Sequence, residues 1–186
     1  MMATYTENLI NQVISESDSS TWEDAVQEWE IEDCDEDKEC KSSCICGKEE
    51  LRYLYTIRNR NNGNELFPIG SRCIKKFERD DLTYTTSLYE SLFKLLHAIK
   101  DRKRIELTTD YFSRKLLDYL YEQDAFKPSE YNGHNGYFDY QFMMDMFNRR
   151  LPLTERQRRK VNAIIYFSIK PFLERMLVSK HGRHVT

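Results

Sequence analysis

The segment CKSSCICGKEELRYLYTIRNRNNGNELFPIGSRCIKKF, residues 40–77, contains four of the five cysteines of the chain. Three of these thiols fall within seven residues, and the fourth follows a segment typical of a β-hairpin. Thiolates are preferred ligands of Zn²⁺, and four of them close a tetrahedral site that is structural rather than catalytic. The sequence therefore predicts a structural Zn²⁺ site with the ligands Cys40, Cys44, Cys46 and Cys73.

The fourth ligand of this site has an alternative, because Cys34 also precedes the C-x-C pair. We favour Cys40, since it is nearer to the pair and needs a shorter loop to reach the ion. No histidine lies beside the cluster: His97 falls in a predicted helix, and His134 falls in a glycine-rich loop. The opposing interpretation is that several of these cysteines are ordinary reduced thiols without a metal.

Between Cys46 and Cys73 the sequence predicts two strands joined by a turn. Residues 51–59, LRYLYTIRN, alternate partly with the period of two that is typical of a strand. The Asn-Gly pair that follows tolerates positive φ and favours a reversal of the chain. The segment LFPIG predicts a second strand, which Pro68 places at a sheet edge or near its end. With the short helix expected at GSRCIKKF, residues 44–77 form a predicted zinc-bound ββα unit, in which the metal compensates for a small apolar core.

The residues before this unit predict two short amphipathic helices and a loop. Residues 5–16 have apolar side chains at helical spacing. Thr21 is the expected cap of a second helix, in which Trp22 and Trp29 share one apolar face. The acidic segment EDCDEDKEC, residues 32–40, lacks large apolar residues and predicts a loop.

The residues after the unit predict a helical region. Thr154 and Gln157 have the spacing of a capping box, and Pro171 is expected to kink or restart the last helix. We therefore predict an α+β fold that is mostly α, with a zinc-bound two-stranded β-hairpin packed with a helical bundle. The predicted divisions are acidic N-terminal helices and loop at 1–39, the zinc-binding module at 40–80, and the C-terminal helical region at 81–186.

Charge is distributed unevenly along the chain. Residues 1–50 carry 15 acidic and 3 basic side chains, whereas the remaining residues carry 16 acidic and 25 basic ones. An acidic segment of this kind either attracts a basic partner or forms a solvated surface. On the first interpretation, the predicted partner-binding residues are the carboxylates that precede the cysteine cluster: Asp33, Asp35, Glu36, Asp37 and Glu39.

The sequence also indicates the cellular compartment in which the protein is expected. It has no apolar run of membrane-spanning length, and its first residues lack the basic and apolar regions of a secretory signal. We therefore expect a protein of the reducing cytoplasm without a membrane partner. In that compartment clustered cysteines more often bind metal than form disulfides.

The motif CICGKEELRYLYTIRN…GNELFPIGSRCIKKF resembles a group of small zinc-binding proteins from phages and mobile elements of Gram-positive bacteria. The helical segment YQFMMDMFNRRLPLTERQRRKVNAIIYFSIKPFL is similar to theirs as well, so the resemblance covers about residues 21–177. Cys44, Cys46 and Cys73 match the metal positions of the group. The type II-A anti-CRISPR proteins, phage-encoded inhibitors of the Cas9 nuclease, are connected with this group. The resemblance therefore implies a stoichiometric inhibitor that binds Cas9 in the bacterial host cell.

Two other classes of function were weighed against this expectation. An enzyme is disfavoured because a four-thiolate site leaves no open coordination position, and because the chain has no Walker loop and no H-E-x-x-H motif. A nucleic-acid-binding accessory protein is the alternative, since residues 100–104 and 149–160 are basic. Within the second segment, Arg156, Arg159 and Lys160 are expected to share a helix face. The net charge of −3 disfavours general affinity for DNA.

Overall fold

Helices predominate in the chain, and they accompany one antiparallel sheet of three strands. The computed structural model of the protein describes residues 4–177. The predicted α+β class with a majority of helix is confirmed, and a cysteine cluster lies near the hairpin. The described residues divide into two compact units, one up to Tyr89 and one from Glu90 onwards.

The first unit contains the sheet and its short helices. Its elements are α1 (Tyr5–Ser15), α2 (Trp22–Ala25), a 3₁₀ turn (Val26–Glu28), β1 (Trp29–Glu36), β2 (Tyr53–Asn59), β3 (Glu65–Ile69), α3 (Ser71–Lys75) and the beginning of α4 (Asp80–Lys100). The strands lie in the order β1-β2-β3, and both pairs are antiparallel. β2 is the central strand, and the consecutive residues Leu54–Ile57 are all buried, so both of its faces are covered there. The largest buried side chains of this core are Leu9, Trp29, Tyr55, Ile57, Ile69 and Ile74.

The second unit is helical. Beyond the end of α4 its elements are α5 (Arg114–Glu122), a 3₁₀ turn (Glu130–Asn132), α6 (Gly136–Asn148), α7 (Glu155–Ile164), a π-helical segment (Ile165–Ile169) and α8 (Lys170–Leu177). Apolar residues at helical spacing form its core, which includes Leu95, Leu96, Leu116, Leu117 and Leu120. None of the helices in residues 4–177 has both the length and the apolar character to cross a bilayer.

Several local predictions are confirmed. The β2–β3 hairpin reverses at Asn62–Gly63, and Pro68 lies on β3, an edge strand. The Thr154–Gln157 capping box is present, since the Thr154 hydroxyl accepts from the Gln157 N–H and the Gln157 side chain accepts from the Thr154 N–H. These signals act over a few residues, which is why the sequence alone reveals them.

Two predictions about the N-terminal segment are wrong. The helix capped by Thr21 ends at Ala25, and Trp29 begins a strand instead of extending a helical face. Residues 32–36 belong to β1 and not to a loop, so the sheet has three strands and not two. The physical reason is pairing: β1 finds hydrogen-bond partners along β2, from Trp29 opposite Asn59 to Glu36 opposite Tyr53.

The sheet spans the division predicted at residues 39–40, because β1 pairs with β2. The two compact units divide within α4, between Tyr89 and Glu90. The divisions at 39–40 and 80–81 stay predictions about the organisation of the chain.

The last helix is interrupted as expected, by a π-helical segment before Pro171. Proline lacks an N–H and cannot donate to the carbonyl four residues earlier. The Lys170 N–H, next to it, donates to the carbonyl of Ile165, five residues back. The helix therefore widens locally and continues as α8.

Candidate metal centre

The C-x-C-G sequence folds into a tight turn that holds two thiols. The Gly47 N–H donates to the carbonyl of Cys44 at 2.7 Å, and the Cys44 N–H donates to the carbonyl of Lys48 at 2.8 Å. Gly47 has a φ of 93°, a conformation that side-chain-bearing residues rarely adopt. The side-chain amide of Asn8 donates to the carbonyl of Cys46 at 3.0 Å, so α1 also supports the turn.

The third thiol reaches the turn from the end of the hairpin. The Ile45 N–H donates to the carbonyl of Pro68 at 2.9 Å, which ties the turn to β3. Cys73 is the third residue of α3. The N–H of Gly70, the residue before this helix, donates to the sulfur of Cys44 at 3.4 Å. The hairpin therefore brings together thiols that are 27 positions apart along the chain.

The geometry of the three sulfur atoms fits a tetrahedral metal ion. The Sγ atoms of Cys44 and Cys73 are 3.7 Å apart, and those of Cys73 and Cys46 are 3.5 Å apart. Tetrahedral ligands at the usual Zn–S length of about 2.3 Å stand roughly 3.8 Å from one another. All three thiols are buried. Cys44, Cys46 and Cys73 can therefore hold a metal ion together.

The same proximity perturbs the acidity of the thiols. A hydrogen bond from Cys73 lowers the pKa of Cys44, and N–H groups of Cys46 and Gly70 act in the same direction against the effect of burial. The hydrogen bond with Cys44 and burial raise the pKa of Cys73. The thiolate form is thus favoured at Cys44, and a metal cation that binds the cluster has to displace the proton of Cys73.

The other cysteines do not join this group. The structure does not bring the sulfur of Cys40 or of Cys34 within 4.8 Å of all three clustered sulfurs. Cys34 is buried in β1, and Cys40 is half-buried in the loop after it, with a φ of 52°. Among residues 4–177, neither His97 nor His134 belongs to the group either. The predicted four-thiolate set is thus reduced to three thiols that the structure brings together.

A cavity of about 360 Å³ adjoins the cluster. Cys44 and Cys73 form part of its wall, together with the basic residues Lys48, Arg52 and Arg72. Three protein ligands and an accessible fourth position are also the arrangement of catalytic zinc sites. The ligand count therefore does not exclude catalysis, contrary to what a closed four-thiolate site implied.

The five predicted partner-binding carboxylates lie in different environments. Glu36 is 7% exposed, and its buried carboxylate pairs with Arg52, the residue before β2, at 3.0 Å. Asp37 closes the loop after β1, because its carboxylate accepts from the hydroxyl of Ser42 at 2.7 Å and from the N–H groups of Glu39, Lys41 and Ser42. The hydroxyl of Ser42 and these N–H groups lower the pKa of Asp37. Glu36 and Asp37 therefore have structural roles.

The remaining three carboxylates are accessible to different extents. Asp33 and Asp35 are half-buried on β1, and the Asp33 carboxylate accepts from the N–H of Cys34 at 2.9 Å. Glu39 is exposed and forms a surface ion pair with Lys41. The structure adds Glu30 and Glu32 of β1 as exposed carboxylates, although Glu32 contacts Arg58 at 3.3 Å. Their alternation with Trp29 and Ile31 was the sequence signal for an exposed strand face.

Comparisons with known proteins do not identify the chain. No protein-family model, no curated protein and no solved structure matches it.

Proposed function

We propose that Cys44, Cys46 and Cys73 bind a structural Zn²⁺. The fourth ligand of the ion would lie in the adjoining cavity. The ion would link the C-x-C-G turn, β3 and α3, which are short elements with little apolar core of their own. Bound Zn²⁺ contributes directly to the folding free energy of such modules. Its role on this proposal is to maintain a binding surface.

The proposed function is inhibition of a Cas9 nuclease by direct, non-enzymatic binding. We propose Cas9 as the partner because the cysteine hairpin and the helical segment resemble those of phage and mobile-element proteins. Such a nuclease holds nucleic acid in a positively charged channel. An acidic surface is attracted to such a channel and competes with the contacts that target DNA makes there.

The observation that carries this proposal is the acidic edge of the sheet. β1 is an edge strand, and Glu30, Glu32 and Glu39 are exposed along it or in the loop that follows. Charged residues on an edge strand also prevent unwanted strand pairing. Steering of a basic partner differs from that role because it predicts an association rate that depends on charge and salt.

The test measures binding and cleavage with purified Cas9 and its guide RNA. We expect the protein to co-elute with Cas9 and to reduce cleavage of target DNA. The double variant Glu30→Lys/Glu39→Lys should slow association about tenfold at low salt, and added salt should reduce this difference. The matched control Glu122→Lys/Asp145→Lys changes the net charge equally at exposed positions of the second unit.

Three outcomes would contradict the proposal. Full cleavage without co-elution would exclude Cas9 as the partner. Equal association rates for the two double variants would exclude steering by the acidic edge. Degradation of the guide RNA by the protein alone would show that it acts as an enzyme.

A further inference from the structure

A second cavity lies in the helical unit, and it joins the two basic segments of the sequence. Its volume is about 550 Å³. One wall is the segment after α4, with Arg102, Lys103 and Arg104, and the other walls carry Arg149 and Arg158. Among the described residues that line the cavity, Glu106 is the single acidic one. Residues about 50 positions apart thus form one positively charged concave surface.

The ion pairs around this cavity leave much of its positive charge available. Arg104 pairs with Glu106 at 3.0 Å, but their side chains are 77% and 56% exposed. Arg158 shares the carboxylate of Glu155 with Arg159, at 3.2 and 3.0 Å. One carboxylate cannot neutralise two guanidinium groups, and exposed ion pairs of this kind are weak. An anionic ligand can therefore replace these ion pairs at little cost in free energy.

The cavity also has apolar and aromatic lining. Leu153 and Val161 contribute apolar side chains, and Tyr166 lines the cavity from the same helix face as Arg158, eight residues earlier. Tyr166 is 40% exposed, and it lies in the π-helical segment before Pro171. π-helical turns occur frequently at functional sites. An aromatic ring accessible beside arginines is the combination that binds bases and phosphates of unpaired nucleic acid.

We propose that this cavity binds a nucleotide of a single-stranded nucleic acid. Phosphates contact Arg149 and Arg158, and the base stacks on Tyr166. The volume lies in the range of pockets that enclose a ligand of this size. The proposed site differs from the helix face expected from sequence, because Arg158 lines the cavity, whereas Arg156, Arg159 and Lys160 do not. Lys160 instead pairs with Asp139 at 3.5 Å and lies 4.4 Å from the ring centre of Phe142.

The test is the fluorescence anisotropy of a labelled oligothymidylate of about fifteen nucleotides with the full-length protein. Arg158→Gln should weaken binding about tenfold and reduce the salt slope by about 0.7, the value for one lost contact to a single strand. Arg159→Gln is the matched control: it shares Glu155 with Arg158, does not line the cavity, and should change affinity less than about twofold.

A second pair of variants tests stacking. Tyr166→Leu should weaken binding about tenfold, whereas Tyr166→Phe, which keeps the ring, should stay within about twofold of the original affinity. Circular dichroism checks that each variant is folded.

The inference would be overturned by absence of binding near physiological salt. Equal effects of Arg158→Gln and Arg159→Gln would overturn it as well, since they would indicate general surface attraction. Binding of the same-length duplex, or of free thymidine monophosphate, as tightly as the single strand would also contradict it. None of these outcomes depends on Cas9 or on the metal, so the two proposals fail independently.

Discussion

At the scale of single residues, Glu28 shows how a carboxylate from an acidic run becomes structural. It is 5% exposed and accepts hydrogen bonds from the N–H groups of Asp18 and Ser19, at 2.9 and 2.8 Å, and from the amide of Asn59 at 2.6 Å. Burial opposes its ionisation, but these hydrogen bonds outweigh burial and lower the pKa of Glu28 to about 2. The Glu28 carboxylate therefore joins the turn after α1 to the end of β2.

This environment predicts a pH-dependent contribution to stability. The pKa of Glu28 is lower in the folded protein than the ordinary value of 4.5, so its stabilisation is complete above about pH 4.5 and is lost as pH falls toward about 2. We expect Glu28→Gln to lower the free energy of unfolding by roughly 2 kcal/mol at neutral pH. Urea unfolding from pH 7 to 3 should show this difference shrinking.

The matched control for that measurement is Glu30→Gln, two residues along the chain and exposed on β1. It should change the free energy of unfolding by less than about 0.5 kcal/mol at every pH. A difference between Glu28→Gln and the original protein that does not vary with pH would contradict the assigned role of the carboxylate.

At the scale of elements, the junction before α6 depends on a close backbone approach. Gly136 is buried at the first position of α6, and a methyl group on it would overlap the carbonyl of Phe126. The side-chain amide of Asn132 holds the same junction, because it donates to Asp139 at 2.8 Å and to the carbonyl of Lys127 at 2.8 Å. The sequence predicted a loop here from its Gly, Asn and Pro content, but not the contact that requires a glycine.

We expect Gly136→Ala to destabilise the protein by about 2–3 kcal/mol, since the backbone carbonyl opposite it cannot move aside cheaply. The comparison is Gly133→Ala in the same loop, where no atom lies within 4 Å of the added methyl group. That variant carries only the strain of a φ of 63°, about 1 kcal/mol. Thermal melting should rank the two variants in this order, and the reverse order would refute the steric explanation.

At the scale of the whole molecule, the two units offer separate spectroscopic signals. Both tryptophans of the chain, Trp22 and Trp29, lie in the first unit with the thiol cluster, whereas most of the described helix lies in the second unit. Trp29 is fully buried, and its indole N–H donates to the hydroxyl of Ser17 at 2.9 Å. Tryptophan fluorescence therefore reports on the unit that the proposed metal stabilises.

Cys73→Ser should remove the bound metal and lower the melting midpoint seen by fluorescence more than the midpoint seen by circular dichroism at the helix band. The physical reason is that loss of one thiolate abolishes the link between the C-x-C-G turn and α3. Elemental analysis should find about one Zn²⁺ per original chain and none in the variant.

Cys40→Ser is the control for this experiment, because Cys40 lies outside the cluster of three sulfurs. It should keep its metal and its melting midpoint. Loss of metal in Cys40→Ser would restore Cys40 as a ligand and contradict the three-thiol site.

Sequence reasoning succeeded where a few neighbouring residues decide the outcome. The Asn62–Gly63 turn, the Thr154 cap and the C-x-C-G pair are specified by local backbone preferences and short hydrogen bonds, so they were predicted without the fold. It failed at Trp29–Glu36, because Trp29 continues the helical spacing of Trp22 and Val26, and residues 32–36 lack large apolar side chains. Pairing with β2, which the local pattern does not reveal, makes this segment a strand.

The sequence by itself determined the mostly helical α+β class, the hairpin and the thiols of the C-x-C pair and Cys73 as one group, since these depend on spacing and local conformation. Only the tertiary structure decided that β1 joins the sheet, that Cys40 stays outside the cluster of Cys44, Cys46 and Cys73, and that Arg102–Arg104 and Arg158 line one cavity. These outcomes depend on contacts between residues distant along the chain, whose free energy is gained only when the whole unit packs.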